Sequence, residues 1–391
     1  MNAKTIRAIG SNREYDAIVV GARAAGAATA MLLGRAGQRV LLVDRSEYGA
    51  DTLSTHAVLR GGVMQLQRWG LLDEIRSAGT PAIRRTNVHY GDEVVEIALR
   101  EQYGVDALYA PRRTVLDPLL VDAAFDAGVE VRYGVRVAGL RTAPDGRVRG
   151  ITGCLASGEV ATADAAVVIG ADGIDSFVAR SVGAANMYRR SDAAAVIYGY
   201  FTGLATDRIE LFFRPGATAG VIPTNGDVAN VFVGLRPARF AVERRGGVET
   251  AFRNVLREVA PEVANAIDGV PAAARFRSFP GRPGHLRRAY GPGWALVGDA
   301  GYFKDPGTAH GITDALRDAE LLARSLLATG EAAEYAATRD RLSWPLLEAS
   351  TAQAALDWDI AGVKAIHRAV KEATDKENAL LADLDAAVLA A

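Results

Sequence analysis

The sequence predicts an α/β protein: a βαβ-based domain, an antiparallel sheet inserted into it, and a helical C-terminal tail. Three observations carry that expectation. Residues 15–43 form a compact βαβ pattern, two short β-branched or apolar runs around a small-residue helix. Residues 186–284 alternate apolar and polar as half-buried strands do. Residues 331–391 are rich in alanine and helical in pattern.

The bulk composition fits this picture. The chain has 391 residues, 49% hydrophobic and 23% charged, which places it among globular proteins with a sizeable core. A net charge of −1 gives no basic field for nucleic acid or an anionic membrane. The single cysteine, Cys154, excludes an internal disulfide and a cysteine metal cluster, and no histidine pair has metal spacing, so no metal is expected. The polar start "MNAKTIRAIGSNREYD" lacks the apolar centre of a signal peptide, and no run is long enough to span a bilayer. A cytoplasmic protein is expected.

Taken in order, 15–20 is a buried strand, 24–36 a helix ended by Gly37, and 39–43 a second buried strand ending in Asp44. A long loop, "DRSEYGADTLSTHAVLRGG", and two short helices follow. "AIRRTNVHYG" and "EVVEIALR" read as strands joined at Gly91 and Asp92. Residues 114–127 read as a helix, and the stretch to Gly170 as strands, with the hairpin signal "APDGRV" and an apolar strand at 165–170. In the inserted sheet, Asn225 and Gly226 mark a hairpin, and one helix is expected over 248–267. A short strand at 294–297 and a helix over 311–327 return to the first domain. The tail is helical, with a break expected at Trp344 and Pro345. The expected division is 1–85, 105–185 and 285–330 for the first domain, 86–104 and 186–284 for the inserted sheet, and 331–391 for the tail.

Three glycine-bearing turns carry the chemistry. The first is "GARAAG", where Gly21 and Gly26 occupy the first and last places of a dinucleotide-binding loop and Arg23 replaces the middle glycine. A helix N-terminus there offers N–H groups to phosphates, and Asp44 stands where a carboxylate meets a ribose hydroxyl. The second is "AAVVIGADGIDSFVARSVGA", a strand that turns through Asp172 and Gly173 into a helix. The third is "GPGWALVGDAGYFKDPGTAHGITDAL", a strand ending in Gly298 and Asp299, then a glycine-rich loop and a helix start.

These three, in this order, resemble the fingerprints of the FAD-dependent aromatic-hydroxylase superfamily, the para-hydroxybenzoate hydroxylase-like monooxygenases, over residues 16–327. The resemblance implies a Rossmann-like FAD-binding domain, a substrate-binding sheet domain and the helical tail. It assigns Gly21, Arg23 and Gly26 to the pyrophosphate loop, and Asp44 and Arg45 to the adenosine ribose end. Arg113, Val137 and Asp172 join the FAD surround, and Gly298 and Asp299 the ribityl chain. Pro306, Gly307, Thr308, Ala309, His310 and Gly311 are placed along the flavin ring. NAD(P)H is implied as electron donor and O2 as co-substrate, through a flavin C4a-hydroperoxide that oxygenates a small aromatic or polycyclic organic molecule. No second glycine-rich βαβ unit serves the nicotinamide nucleotide.

His56, Arg60, Pro306 and His310 are the candidate catalytic residues. His56 and Arg60, with Ser54 and Thr55, lie on the loop expected at the flavin, where the competing reading is a solvated loop with Thr55 as a helix cap. His310 is either a general base or a packing histidine. His89, His285 and His367 read as structural, and Asp305 as a residue that orients its loop. Tyr198, Tyr200, Phe212, Phe213 and Pro223 are the aromatic and ring residues of the cover sheet. The arginine pairs Arg84–Arg85 and Arg112–Arg113 suggest an anion site, against the commoner reading of solvated or ion-paired side chains. No G-x-S-x-G elbow supports Ser54 as a nucleophile. The rival functions are a flavin reductase of isoprenoid chains of the geranylgeranyl-reductase type, a halogenase, whose W-x-W-x-I-P motif is absent, and a flavin-binding protein without turnover. The tail either covers the active site or builds a homodimer.

Overall fold

The computed structural model describes residues 14–384 apart from 156, 189 and 205. The polar start and the last seven residues, both read above, lie outside this range.

The first sheet is built around β1 (Glu14–Val20), which pairs in parallel with β2 (Val40–Val43). Helix α1 (Ala24–Arg35) crosses between them and is buried on nearly every side, as its alanines and glycines permit. After α2 (Arg60–Arg68) and α3 (Leu72–Ser77), the chain leaves this sheet for the hairpin β3 (Arg85–Tyr90) and β4 (Glu93–Ala98). It returns with α4 (Arg113–Asp126) and β5 (Glu130–Arg132), parallel to β2. The antiparallel ribbon β6 (Val135–Thr142) and β7 (Val148–Leu155) leads into β8 (Val160–Gly170), parallel to β1, and then α5 (Phe177–Ser181).

The second sheet has seven strands. β9 (Ala195–Thr202), β10 (Ile209–Arg214), β11 (Ala217–Thr224) and β12 (Val228–Leu235) are joined at one edge by β13 (Arg277–Phe279) and at the other by β3 and β4. The β11–β12 hairpin turns at Asn225 and Gly226 as expected. The sheet is not wholly antiparallel: β10 pairs with β3 in parallel, Ile209 opposite Thr86, because the two come from segments more than 100 residues apart. Helices α6 (Pro237–Glu243), α7 (Val248–Val259) and α8 (Pro261–Ala266) follow β12. The single helix expected over 248–267 is therefore two. Ala260, at φ −138° and ψ 70°, precedes Pro261, whose ring disfavours the helical conformation of the residue before it.

Strands β14 (His285–Leu286), β15 (Tyr290–Gly291), β16 (Trp294–Leu296) and β17 (Tyr302–Phe303) return to the first layer, with β16 parallel to β8. Then come α9 (Gly311–Thr329), α10 (Ala333–Ala354) and α11 (Ile360–Asp383). Pro345 does not break α10. The helix runs through it, buried at Leu342, Leu346 and Leu347, and packing compensates the missing hydrogen bond. The break falls at 355–359, where Leu356 adopts φ +54°. Among the described residues, no helix is long and apolar enough to cross a membrane.

Register defines the cover sheet's two faces. Ile197, Phe201, Val231, Val233 and Phe212 pack with Phe252, Val255 and Leu256 of α7. The opposite face carries Tyr198 and Tyr200, paired across the ladder with Phe232 and Asn230, then Gly220, Leu211 and Phe213. This second face looks toward the first domain and α11.

Candidate cofactor and substrate site

The glycine-rich loop is shaped by close backbone approach. A Cβ on Gly21, at φ +108°, would lie 2.4 Å from the Ala171 carbonyl oxygen, and one on Gly26 only 1.8 Å from the Gly21 oxygen. Arg23 needs no such exemption. It is the N-cap of α1 in ordinary extended conformation, and its side chain leans away to Asp117, Nη1 4.0 Å from Oδ2. That explains how an arginine stands where the pattern has glycine. The first N–H groups of α1 have no acceptor within the helix. Asp44 pins the loop: its carboxylate accepts from the Ala22 N–H at 2.7 Å, the Ser46 N–H at 2.7 Å and the Ser46 hydroxyl at 2.6 Å. Arg45, beside it, is exposed. β6 starts next to Asp44, with the Val135 N–H donating to its carbonyl at 2.9 Å, but the Val137 side chain is buried in the core with Ile18, Val20 and Leu41. Only backbone at Val137 is left for a cofactor.

Arg113 opens α4 and grips Asp117 one turn later, with Nε and Nη2 at 2.8–2.9 Å from its carboxylate. Asp172 caps α5: it accepts from the Ser176 hydroxyl at 2.5 Å and from the N–H groups of Phe177 and Val178 at 2.6 and 3.1 Å. It thus fixes the turn rather than presenting a free carboxylate. Gly298, at φ +56°, lets the chain pass Ala25, whose Cβ would be 2.8 Å from a Cβ there. Asp299 keeps solvent-accessible surface while protein surrounds it, and that enclosure pushes its carboxyl up to about 6 against the pull of Lys304 and Arg113.

Asp305 orients the next loop, accepting from the N–H groups of Gly307 at 3.0 Å and Ala194 at 2.8 Å. Gly307 and Gly311 are exposed, Pro306, Thr308 and Ala309 half-buried, and the Thr308 hydroxyl is buried without a partner. His310 is buried. Its Nδ1 donates to the Thr308 carbonyl at 2.5 Å. Burial, reinforced by Lys304, pushes the imidazole down to about 3, and Nε2 lies 3.0 Å from the Thr374 hydroxyl, which also bonds the Val370 carbonyl at 2.8 Å. Both ring nitrogens are engaged, which favours the packing reading over the general base.

On the cover side, His56 is buried in the left-handed region at φ +70°, and its Nε2 hydrogen-bonds the Tyr200 hydroxyl. Burial, with the charges of Arg113 and Arg112, holds it neutral, pushed down to about 3, and its Nδ1 has no partner. The Ser54 N–H donates to the Tyr198 hydroxyl at 3.2 Å. Arg60 is not brought to this group. Its guanidinium donates to the carbonyls of Arg100, Gln102 and Val105 at 2.8–3.0 Å and anchors that loop. Thr55 caps nothing, since α2 begins after Leu59.

Sequence reasoning missed two features. One is a buried ionic cluster behind the 306–311 loop. Arg317 bonds Asp318 at 2.8 Å, Glu377 at 2.6 Å and Asp314 at 3.3 Å, and Lys304 touches Asp314. Four of its members lie within residues 304–318, but Glu377 comes from α11, 60 positions beyond Arg317, and only tertiary packing brings it in. The other is Arg112. Arg84, Arg85 and Arg113 have the ion pairs expected of them, with Asp106, Asp207 and Asp117. Arg112 has none, and lies over the Tyr200 ring at 4.0 Å.

These features fit a flavin dinucleotide. The loop closes too tightly for side chains at Gly21 and Gly26, a helix N-terminus stands beside Asp44, and accessible Asp299 and an open glycine loop lie further along one cleft. The class is that of FAD-dependent oxidoreductases. The FAD binding domain family model matches residues 14–345, and the chain belongs to that family. Digeranylgeranylglycerophospholipid reductase 1 of Methanococcoides burtonii is 27% identical over 346 residues, 86% of this chain and 78% of that protein. Menaquinone reductase of Mycolicibacterium smegmatis is 28% identical over 355 residues, 86% and 80% of the two chains. Among solved structures, P. aeruginosa PqsL in complex with 2-aminobenzoylacetate superposes with a TM-score of 0.77 at 22% identity, covering 91% of this chain and all of that one. The flavin-dependent brominase Bmp2 gives 0.79 at 16% identity, covering 95% and 94%.

Proposed function

We propose that the protein is an FAD-dependent monooxygenase acting on a small, flat organic molecule, with NAD(P)H as the electron donor. The observation that carries the reading is that the inner face of the cover sheet is closed on two sides by packed apolar residues. Helix α11 closes the β3–β10 end of that face, with Val363 and Ile366 packed against Phe213, Tyr90 and Leu211. Ile83 and Ala110 close a second side against Ile209 and Ile222. Between them Leu211, Thr218 and Phe232 stay half-open, with the Phe232 ring laid against Gly220, where a Cβ would come within 2.4 Å of it. A ring system fits such a space better than an extended isoprenoid chain does.

FAD, when bound, supplies the electron transfer and oxygen activation. The chain's own residues bind and orient. Asp299 offers a carboxylate to hydroxyls, Arg113 and Asp117 brace the dinucleotide end, and the half-closed apolar face excludes water. His56 and His310, both neutral, contribute hydrogen bonds without a fixed charge. NAD(P)H docks on the flavin domain.

The sequence relatives favour a second reading, reduction of isoprenoid double bonds, since two named reductases align over most of their length. Stopped-flow absorbance separates the two. The protein is reduced anaerobically, then mixed with oxygenated buffer in the presence of a panel of aromatic compounds. Oxygen activation is expected to show as an absorbing species distinct from both reduced and oxidised flavin. Monotonic return to oxidised flavin across the whole panel, together with oxygen-independent reduction of an isoprenoid probe, overturns the monooxygenase.

A further inference from the structure

We infer that Gln353, on the tail helix α10, is a positioning residue of the FAD site: it holds the 306–311 loop in its flavin-binding shape, from a part of the chain beyond residue 345, where the family match ends. This holds whether the flavin activates oxygen or reduces a double bond.

The loop is poorly equipped to hold itself. Pro306 has no N–H to give, and Gly307 and Gly311 bring no side chain. Ala309 sits in the left-handed region at φ +57°. A residue with a side chain stays there only where its surroundings impose it. Within the loop region, Asp305 accepts from the Gly307 N–H at 3.0 Å and the Pro306 carbonyl from the Ala309 N–H at 2.9 Å. The tail supplies three more contacts. The Ser350 hydroxyl donates to the Asp305 carbonyl at 3.0 Å, Gln353 Nε2 donates to the Gly307 carbonyl at 2.8 Å, and the Thr374 hydroxyl lies 3.0 Å from His310 Nε2.

Gln353 is the best placed of the three. Gly307 is exposed, so its peptide borders open space, yet a Cβ on it would meet Gln353 Nε2 at 2.9 Å and Asp305 Oδ1 at 3.1 Å. The Gln353 side chain is buried, and its backbone is fixed as well: the Trp358 indole N–H donates to its carbonyl at 2.8 Å. The elbow that follows is tied to the cover sheet. Arg236 donates to the carbonyls of Ala355 and Leu356 at 3.1 and 3.0 Å, and the Gly216 N–H donates to Leu356 at 3.1 Å. The donor is therefore fixed by the second layer before it meets the loop of the first.

The test measures FAD affinity, not turnover. Apoprotein is titrated with FAD and flavin fluorescence is followed, at about pH 5.5 and about pH 8.5, on either side of the range in which a buried carboxyl titrates. Gln353→Met removes the donor at similar length and should weaken FAD about tenfold at both pH values, the scale of one buried hydrogen bond. In Gln353→Glu a protonated carboxyl donates to the Gly307 carbonyl and an ionised one repels it. Its loss of affinity should be about tenfold or more at the higher pH and about threefold or less at the lower, because burial and the Asp305 carboxylate both favour the protonated form. The other charged groups around this place are Lys304, Asp305 and His310 on the loop side, Arg236 on the cover sheet, Glu377 on α11 and exposed Asp357 on the elbow. All three proteins share them, so each variant is read as a ratio to the unmutated protein at the same pH. A ratio for Gln353→Glu that does not move with pH overturns the inference. Unmutated affinity in both variants, with only a lower urea midpoint of the apoprotein, also overturns it, by making Gln353 a residue of the fold alone. In the unmutated protein, FAD should slow amide exchange across 350–358 together with 306–311. Protection confined to residues before 345 would reject the assignment without any variant.

Discussion

Behind the 306–311 loop, Arg317 meets three carboxylates, and Lys304 is pressed against one of them. Across the cleft, Arg112 meets none and rests on a tyrosine ring. Arg317 is fully buried and Arg112 only half-buried. They differ in saturation. The buried cluster ties α9 to α11 through Arg317 and Glu377, whereas Arg112 has only its Nε buried and unpartnered. The same contrast runs through the histidines: His310 has both ring nitrogens engaged, and His56 has one free.

The heaviest blow to the cofactor side is a side chain at Gly26. Gly26→Val places atoms inside the Gly21 carbonyl, and the expected result is insoluble or flavin-free protein, read from soluble yield and the visible spectrum. Next comes the saturated cluster. Arg317→Met leaves Asp318 and Glu377 buried without their cation, which should cost about 3–5 kcal/mol in urea unfolding. Arg112→Met, by contrast, should shift stability by about 1 kcal/mol or less, since only a stacking contact is lost. Equal losses in the two variants would erase the distinction between the two cations.

Acid sharpens the comparison. Burial pushes His56 and His310 down to about 3 and His285 and His367 to about 4. Unfolded histidine protonates near 6.5, so below that pH the unfolded chain binds more protons. The stability these residues contribute is complete above about 6.5 and is lost as pH falls toward 4 and 3. Asp305, raised by burial to about 6, acts oppositely and gains as pH falls from about 6 toward 4. Four histidines outweigh one aspartate, so urea midpoints should fall between about pH 6.5 and 4. His310→Gln should flatten that fall, and an unchanged slope would show that His310 titrates normally. The smallest effect is expected at exposed Arg45. Arg45→Ala should leave the melting temperature unchanged and weaken FAD binding by about threefold at most, measured by flavin fluorescence on dilution.

The parallel sheet and its turns were legible because each depends on local chemistry. Glycine at 21, 26 and 298 is demanded by backbone contacts, and the hairpins at 91 and 225 by turn residues. Pro345 misled, since the local rule that proline ends a helix yields to burial on a long packed helix. Arg60 misled too: a polar residue on a loop does not reveal whether it points inward or ties down its neighbours. Arg112 and Arg113 look alike in the sequence. Their difference arises only because Asp117 lies one helical turn beyond the second, while Tyr200 comes from another sheet.

The scattered origin of the cleft has a consequence for synthesis. Its walls come from residues 21–44, 112–117, 172, 198–232 and 298–311, and β16 slots in beside β8 only after the whole cover sheet has been made. Helix α11, which braces the loop at Thr374 and the cluster behind it at Glu377, is made after all of these walls. A nascent chain can fold its first βαβ unit early, but it has no complete cradle until α11 has been made. Flavin capture is therefore a late event in this protein's maturation, and a truncated product would be colourless however well its N-terminal half had folded.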